Sequence, residues 1–235
     1  MTGELSFKAG LKDVLPTVFG YIGVGLAFGI VARTNHIGVW LVLLMSLVVY
    51  GGSVQFVLAT MLATASPIGA MLVSAVLIHA RMSLMSMTVA PYLRREPTWQ
   101  NVLIGTLLTD ETFALSMNKL NLTHRTLRPA WFHAANLTAY LVWAAATVVG
   151  ALLGGLVPDA QALGLDFAAV AMFIGLLYLQ MITDRSKPLV RHLEVVLFVA
   201  VAMVVAERVV PGTTAILIAT VAGCLFGMWR ENHGN

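Results

Sequence analysis

Four ionisable side chains sit where an apolar sequence has least use for them. His79 and Arg81 fall in the middle of an apolar run over 67–91, and Asp110 and Glu111 in the middle of the next, over 101–118. An arginine or aspartate at the centre of a bilayer costs on the order of 2.5–3.5 kcal/mol on insertion scales. Such residues face a protein interior or a water-filled cavity, and they pair. The cation lies in one run and the anions in the next at matching depth, so Arg81 with Asp110 or Glu111 is the economical pairing. Ser74, Arg81 and Thr88 are seven apart and share one helix face, while His79, Ser83 and Ser86 share another. His79 and Arg81, two residues apart, point away from each other on a regular helix. Both meet one cavity only where the helix is wide-facing or broken. Asp110 and Glu111 are about 100° apart around a helix, which predicts different roles. A carboxylate in this setting can titrate as part of a proton relay; the plainer alternative is an ion pair that only locks two helices together.

Two breaks frame these charges. In Ser46 to Phe56 a pair of glycines, Gly51 and Gly52, precedes Gln55 in the middle of an apolar run. Such breaks free backbone N–H and C=O groups that hydrocarbon cannot satisfy, so they occur where they are buried in protein or line a cavity, and in secondary transporters they build the substrate site. Gly51, Gly52 and Gln55 are therefore candidate substrate contacts, with Arg81 and His79. Thr109-Asp110-Glu111-Thr112 reads as a helix start, opening a half-helix whose positive end lies beside a carboxylate-binding site. The glycines of 14–32 allow either a break or close packing. Gly25/Gly29, Gly150/Gly154 and Gly223/Gly227 have the spacing that lets helices approach closely.

The elements that must position these groups follow from composition. The 235 residues are 59% apolar and 11% charged, with 14 basic and 11 acidic side chains, against about 25% charged in a soluble domain. That excludes a water-soluble globule, and the one cysteine, Cys224, excludes a disulfide scaffold. Runs of about 20 apolar residues occur near 14–32, 40–63, 67–91, 101–118, 131–153, 166–183, 193–210 and 213–229. The expectation is an all-α, polytopic helical bundle of about eight spans, some broken or re-entrant, forming one transmembrane domain over 1–235. The apolar runs are too continuous for a β-barrel. The first span reads as a retained helix, since Glu4 and Asp13 dilute the basic start and no small-residue cleavage site follows.

With eight crossings and a cytoplasmic N-terminus, Lys8, Lys12, Lys119, Arg125, Arg128, Arg185, Lys187, Arg191 and Arg230 fall on the cytoplasmic side, as the positive-inside rule requires. They account for the net charge of +3 without a nucleic-acid partner. Arg94-Arg95 is the exception: this count puts it outside, unless early segments are re-entrant and the count is lower. No HExxH, CxxC or paired-histidine spacing suggests a metal, and His36, His124, His133, His192 and His233 read as interfacial or loop residues. No phosphate-binding loop of the GxxxxGK[ST] type is present, and no cofactor is implied. Asn136 reads as an interhelical hydrogen bond or a cavity residue. Function reduces to three readings: a secondary transporter, a passive channel, or an intramembrane enzyme using His79 with Asp110 or Glu111 as base and acid. The last lacks a recognisable nucleophile, so a non-enzymatic role is expected.

Four blocks taken in order, Gly20-Tyr21-Ile22 to Phe28-Gly29, Ser46-Leu47 to Tyr50-Gly51-Gly52-Ser53-Val54-Gln55-Phe56, Leu77-Ile78-His79-Ala80-Arg81 and Thr109-Asp110-Glu111-Thr112-Phe113-Ala114-Leu115, resemble the AzlC family. The stretch from Leu165-Asp166-Phe167 to Ala171-Met172-Phe173 fits the same order. The family usually carries asparagine where this chain has His79, and often histidine where it has Met82. The resemblance implies the large subunit of a bacterial exporter of valine, leucine, isoleucine or methionine, in the cell (inner) membrane. It also implies a separately encoded small AzlD-like membrane partner and coupling to the proton gradient at Asp110 or Glu111.

Overall fold

A computed structural model describes residues 5–156 without a gap, scattered positions between 164 and 181, and residues 188–210 and 212–232. Most of the expected span 166–183, parts of the 165–173 stretch, Arg185, Lys187 and His233 lie outside the described residues. The chain divides into two compact units, Met1–Leu176 and Leu177–Asn235. Every described element is helical.

In the first unit, α1 (Phe7–Thr34), α4 (Ile68–Val89) and α7 (Pro129–Gly154) are long. At about 1.5 Å per residue each reaches across the roughly 30 Å of a bilayer's hydrocarbon. A 3₁₀ turn over Ala90–Leu93 extends α4. Between them lie α2 (Val39–Val48), α3 (Gly52–Ala63), α5 (Thr98–Thr106) and α6 (Asp110–Leu122), of 9 to 13 residues. Each of these is about half the length a crossing needs.

The short helices fold back. Ser46 in α2 meets Thr147 in α7, and Tyr50, at the break, packs on Tyr140 one helical stretch nearer the start of α7. The chain then turns: Phe56 packs on Phe28 of α1, and Ala59 joins Ala32 and Ile37 near the end of α1 where α2 began. The second pair does the same from the other end. Asn101 in α5 bonds the Leu93 carbonyl, Ile104 receives a hydrogen bond from Asn136, and Thr109 reaches Tyr21 midway along α1. From there α6 returns towards the start of α1, where Lys119 pairs with Asp13 at 2.8 Å. The runs 40–63 and 101–118, expected as single spans, are thus hairpins of half-helices that enter from opposite ends and meet at their tips. Helix α1 with the first hairpin is repeated, upside down, by α4 with the second.

Among the described residues four helices are long and apolar enough to cross a membrane, α1, residues 68–93, α7 and α8 (Leu189–Glu207); the eightfold count is not seen in them. Folding back also removes the Arg94-Arg95 exception. Arg125 bonds Tyr92, so the loop after α4 lies at the same end as Lys8, Lys12, Lys119, Arg125 and Arg128.

Two cores hold the frame. At the basic end Leu93, Ile104, Leu120, Leu127, Trp131 and Phe132 pack together; at the other, Phe28, Ala32, Val42, Ala59 and Ala151 do so. Helices α1 and α7 lie backbone to backbone, with Gly25 against Ala146, Gly29 against Thr147 and Gly150, and Gly154 against Arg33. Helix α1 is unbroken, and of its glycines Gly10, Gly25 and Gly29 serve close packing on α7 rather than interruption. In the second unit α8 and α9 (Gly212–Asn232) form a pair in which Phe198 stacks on Phe226 at 4.2 Å, Gly223 meets Val199, and Arg230 bonds Glu194 at 2.8 Å.

Candidate functional site

Between the two hairpin tips lies a small open cleft, with free space of about 30 Å³, far below the about 300–1,000 Å³ of small-molecule sites. Five of the residues singled out by sequence line it together: Gly51, Gly52, Arg81, Asp110 and Glu111. Arg81 comes from mid-α4 and reaches Asp110 at 2.7 Å, while the same nitrogen donates to the Ser53 hydroxyl at 3.0 Å. One guanidinium therefore ties α4 to the tips of both hairpins. Asp110 is buried, and the half-buried Glu111 beside it accepts from the Tyr21 hydroxyl at 2.9 Å. Because that hydroxyl's only proton goes to Glu111, the Thr109 hydroxyl donates to Tyr21.

The two half-helix starts differ. At α6 the Thr109 side chain accepts from the Thr112 amide and the Thr112 side chain accepts from the Thr109 amide, a reciprocal cap, and the first turn carries its own carboxylates. The anion site expected there is already filled by Asp110 and Glu111. At α3 no side chain caps the start. The first bond along this helix runs from the Gln55 amide to the Gly51 carbonyl at 2.8 Å, so the amides of Gly52 and Ser53 have no partner within the helix and stand at its positive end beside the cleft.

Gln55 and His79 do not line the cleft. Gln55 is fully buried behind it: its amide donates to Ser46 at 2.9 Å and its carbonyl accepts from the Trp143 indole at 2.7 Å. Ser46 in turn bonds Thr147 at 2.8 Å. This closed network pins α2, α3 and α7 where the first hairpin turns. His79 points away from Arg81, as their spacing requires, and its two ring nitrogens approach the carbonyls of Ala75 and Val49 at 3.1 and 3.2 Å. The Val49 carbonyl is one of those freed by the break. Asn136 makes an interhelical bond to the Ile104 carbonyl at 3.1 Å.

Tyr21, Tyr50, Ser53 and Trp143 line the cleft and were not singled out by sequence as site residues. The available signal was polar or aromatic identity within glycine-rich or apolar runs, which core residues share. Tyr50 is held in the left-handed backbone region, at φ 43°, where the hairpin turns, and its ring packs on Tyr140 at 4.8 Å. Among the described residues no cluster of three histidine, cysteine or acidic side chains is placed to hold a metal.

Gly51 has a use that its neighbour's ring explains. Its backbone, at φ −156°, is open to any residue, but a Cβ there would lie 2.8 Å from the His79 Nε2. Gly51→Ala is therefore expected to destabilise by about 1–3 kcal/mol through overpacking, about 2–4 °C of melting temperature per kcal/mol for a chain this size. Thermal unfolding of the purified protein checks this, and adding His79→Ala to Gly51→Ala should recover part of the loss.

Compared with known proteins, the chain matches the family model described as AzlC protein over residues 16–157, more than half its length. The chain belongs to the AzlC family. The AzlC match spans α1 to α7 and so contains the whole cleft. Among its relatives, the inner membrane protein YgaZ of Escherichia coli is 32% identical over 183 residues, 74% of this chain and 73% of that one. The branched-chain amino acid transport protein AzlC of Bacillus subtilis is 25% identical over 183 residues, 77% of this chain and 70% of that one. An uncharacterized membrane protein of Archaeoglobus fulgidus is 26% identical over 225 residues, 95% and 94% of the two chains. No solved structure matches.

Proposed function

We propose that this chain is the large subunit of a secondary transporter, not an enzyme, that exports branched-chain or other neutral apolar amino acids. In this reading it works with a small AzlD-like membrane partner and is coupled to the proton gradient. The observation that carries the reading is the cleft between the hairpin tips, which has two poles. The open start of α3, with the amides of Gly52 and Ser53 beside Arg81, suits a carboxylate; the acidic start of α6 suits an ammonium group or a proton. Met82 and Trp143 give it an apolar wall. Gln55 and His79 act in this reading from behind, holding the tip that carries Gly51 and Gly52. The name of the Bacillus subtilis relative supports the amino-acid class, and the concentration of lysine and arginine at the end where α1 begins supports a cytoplasmic N-terminus in a bacterial inner membrane.

Efflux from cells loaded with a panel of amino acids, with and without a small partner subunit, tests the reading. Export of leucine, valine, isoleucine or methionine that needs this chain and slows when the proton gradient is collapsed is the expected result. Flux that follows the substrate gradient and ignores the collapse would make it a passive channel. Product formation by purified protein without two compartments would make it an enzyme.

A further inference from the structure

The hydroxyl of Tyr50 is buried and unused. The residue is 9% exposed and lines the cleft, yet among the described residues its Oη has no hydrogen-bond partner. Buried polar atoms without a partner are few in a folded protein, and each calls for an explanation. Packing does not supply one here. The ring sits edge-on to Tyr140 at 4.8 Å and joins Tyr21 and Trp143 in one cluster, contacts that a phenylalanine would make equally well. The backbone at this position is itself unusual. Tyr50 is held at φ 43°, a left-handed conformation that glycine adopts readily and a bulky residue only under strain, and such strain gathers at ligand clamps. The ring is also fixed from behind: Tyr140 donates to the Leu47 carbonyl at 2.8 Å, and the Tyr50 amide bonds the Met45 carbonyl at 3.2 Å. A rigid ring thus brings an O–H without an acceptor to the wall of the cleft.

We propose that the Tyr50 hydroxyl donates to the α-carboxylate of the bound amino acid, completing the pole formed by Arg81 and the amides of Gly52 and Ser53. This rests on the amino-acid reading above and assigns the substrate's carboxylate end to the tip of the first hairpin. Three features of the cleft choose the carboxylate over the ammonium. The unused group is a proton donor, and of the two charged ends of an amino acid only the carboxylate brings acceptors. Tyr50 directly precedes Gly51, Gly52 and Ser53, so the unused hydroxyl and the uncapped amides belong to one tip. Tyr21, by contrast, already gives its proton to Glu111 at 2.9 Å, at the acidic start of α6. Size agrees. The free space of about 30 Å³ holds about two waters, which need about 10–15 Å³ each, or a carboxylate in their place, while the apolar side chain lies towards the open mouth.

The test compares wild type with Tyr50→Phe, as full chains in lipid nanodiscs, for unfolding and for binding. Tyr50→Phe should leave the melting temperature of the empty protein unchanged or raise it, since it deletes a buried group that has no partner. L-leucine binding should weaken by about ten- to a hundredfold, the range for a hydrogen bond to a charged group. Two fragments of leucine locate the contact. 4-Methylpentanoate keeps the carboxylate and lacks the ammonium, and should lose the same factor. 3-Methylbutylamine keeps the ammonium and lacks the carboxylate, and should lose none. A lower melting temperature would show that the hydroxyl is bonded within the empty fold. Unchanged leucine affinity would show that it does not meet the substrate, and a loss confined to the amine would move it to the ammonium end. Each of these overturns the assignment and leaves the amino-acid reading standing. Failure of folded wild-type protein to bind any amino acid overturns the amino-acid reading, and the assignment with it.

Discussion

Arg81→Gln is expected to abolish transport and to reduce the yield of folded protein sharply. Asp110 is left buried, its side chain 8% exposed, with its guanidinium partner gone. Removing one member of a buried pair costs about 3–5 kcal/mol, a large share of the about 5–15 kcal/mol that holds a domain together. Arg81 is itself 34% exposed, on the side that lines the cleft, which places the loss towards the lower end of that range. Asp110→Asn should behave similarly, stranding the cation. The informative variant is the double one, Arg81→Gln with Asp110→Asn, in which two neutral amides face each other. Its folded yield and melting temperature should recover most of the loss. Its efflux should not, because Arg81 also holds Ser53 at the start of α3 and supplies the positive charge of the carboxylate pole. Size-exclusion profiles, thermal unfolding and efflux of the four proteins separate the two effects. Recovery of transport in the double variant would reduce the pair to a lock between helices.

Much of this site is legible in the chain alone, because charge in hydrocarbon is expensive enough to be informative. The cost of isolated ions at matched depth pointed to Arg81 pairing with Asp110 or Glu111, and two-residue spacing separated His79 from Arg81. Gly51-Gly52 and Thr109 marked the two breaks, since glycine pairs and N-cap residues punctuate helices whatever surrounds them. Direction after a break was not legible. A half-helix that returns and one that continues have the same composition, and 40–63 holds enough apolar residues for one full crossing. The one sign was Arg94-Arg95, misplaced by straight spans and placed with its fellow cations by a fold-back. Gln55 shows the other limit. A glutamine at mid-membrane needs polar partners, but its own sequence neighbourhood could not reveal that Trp143, 88 residues on, and Ser46 supply them. The uncapped start of α3 was hidden for the same reason, being defined by what the folded chain fails to place there.

The opposed hairpins give these local facts a mechanical consequence. Because the first hairpin enters from the end of α1 and the second from its beginning, both tips depend on the α1–α7 pair against which they pack. Tyr21 and Trp143, one from each of these helices, meet edge to face at 6.1 Å; the first bonds the second tip through Thr109 and Glu111, the second braces the first tip through Gln55. A shift between α1 and α7 would therefore move the poles of the cleft apart, whatever happened to the side chains that form them.

That dependence makes Gly29→Val and Gly150→Val the second large effect. A Cβ at Gly29 would run into the Thr147 carbonyl and the Ala151 amide, and one at Gly150 into the Leu26 carbonyl and Cα. Overpacking costs about 1–3 kcal/mol where flexible side chains can give way. Here the obstacles are backbone atoms of an apposed helix, so relief requires the two helices to separate along their length. Either variant is expected to lower the melting temperature by more than Gly51→Ala does and to cut folded yield. The controls lie on the same helix: at Gly20 and Gly23 an added Cβ would meet nothing within 4 Å, and α1 is continuous through both. Gly20→Ala and Gly23→Ala should leave unfolding unchanged or raise its temperature slightly, since alanine is the better helix former by about 0.8–1.0 kcal/mol. Equal tolerance at Gly20 and Gly29 would show that α1 and α7 are not in backbone contact, and the braces from Tyr21 and Trp143 to the two tips would have to be reassigned.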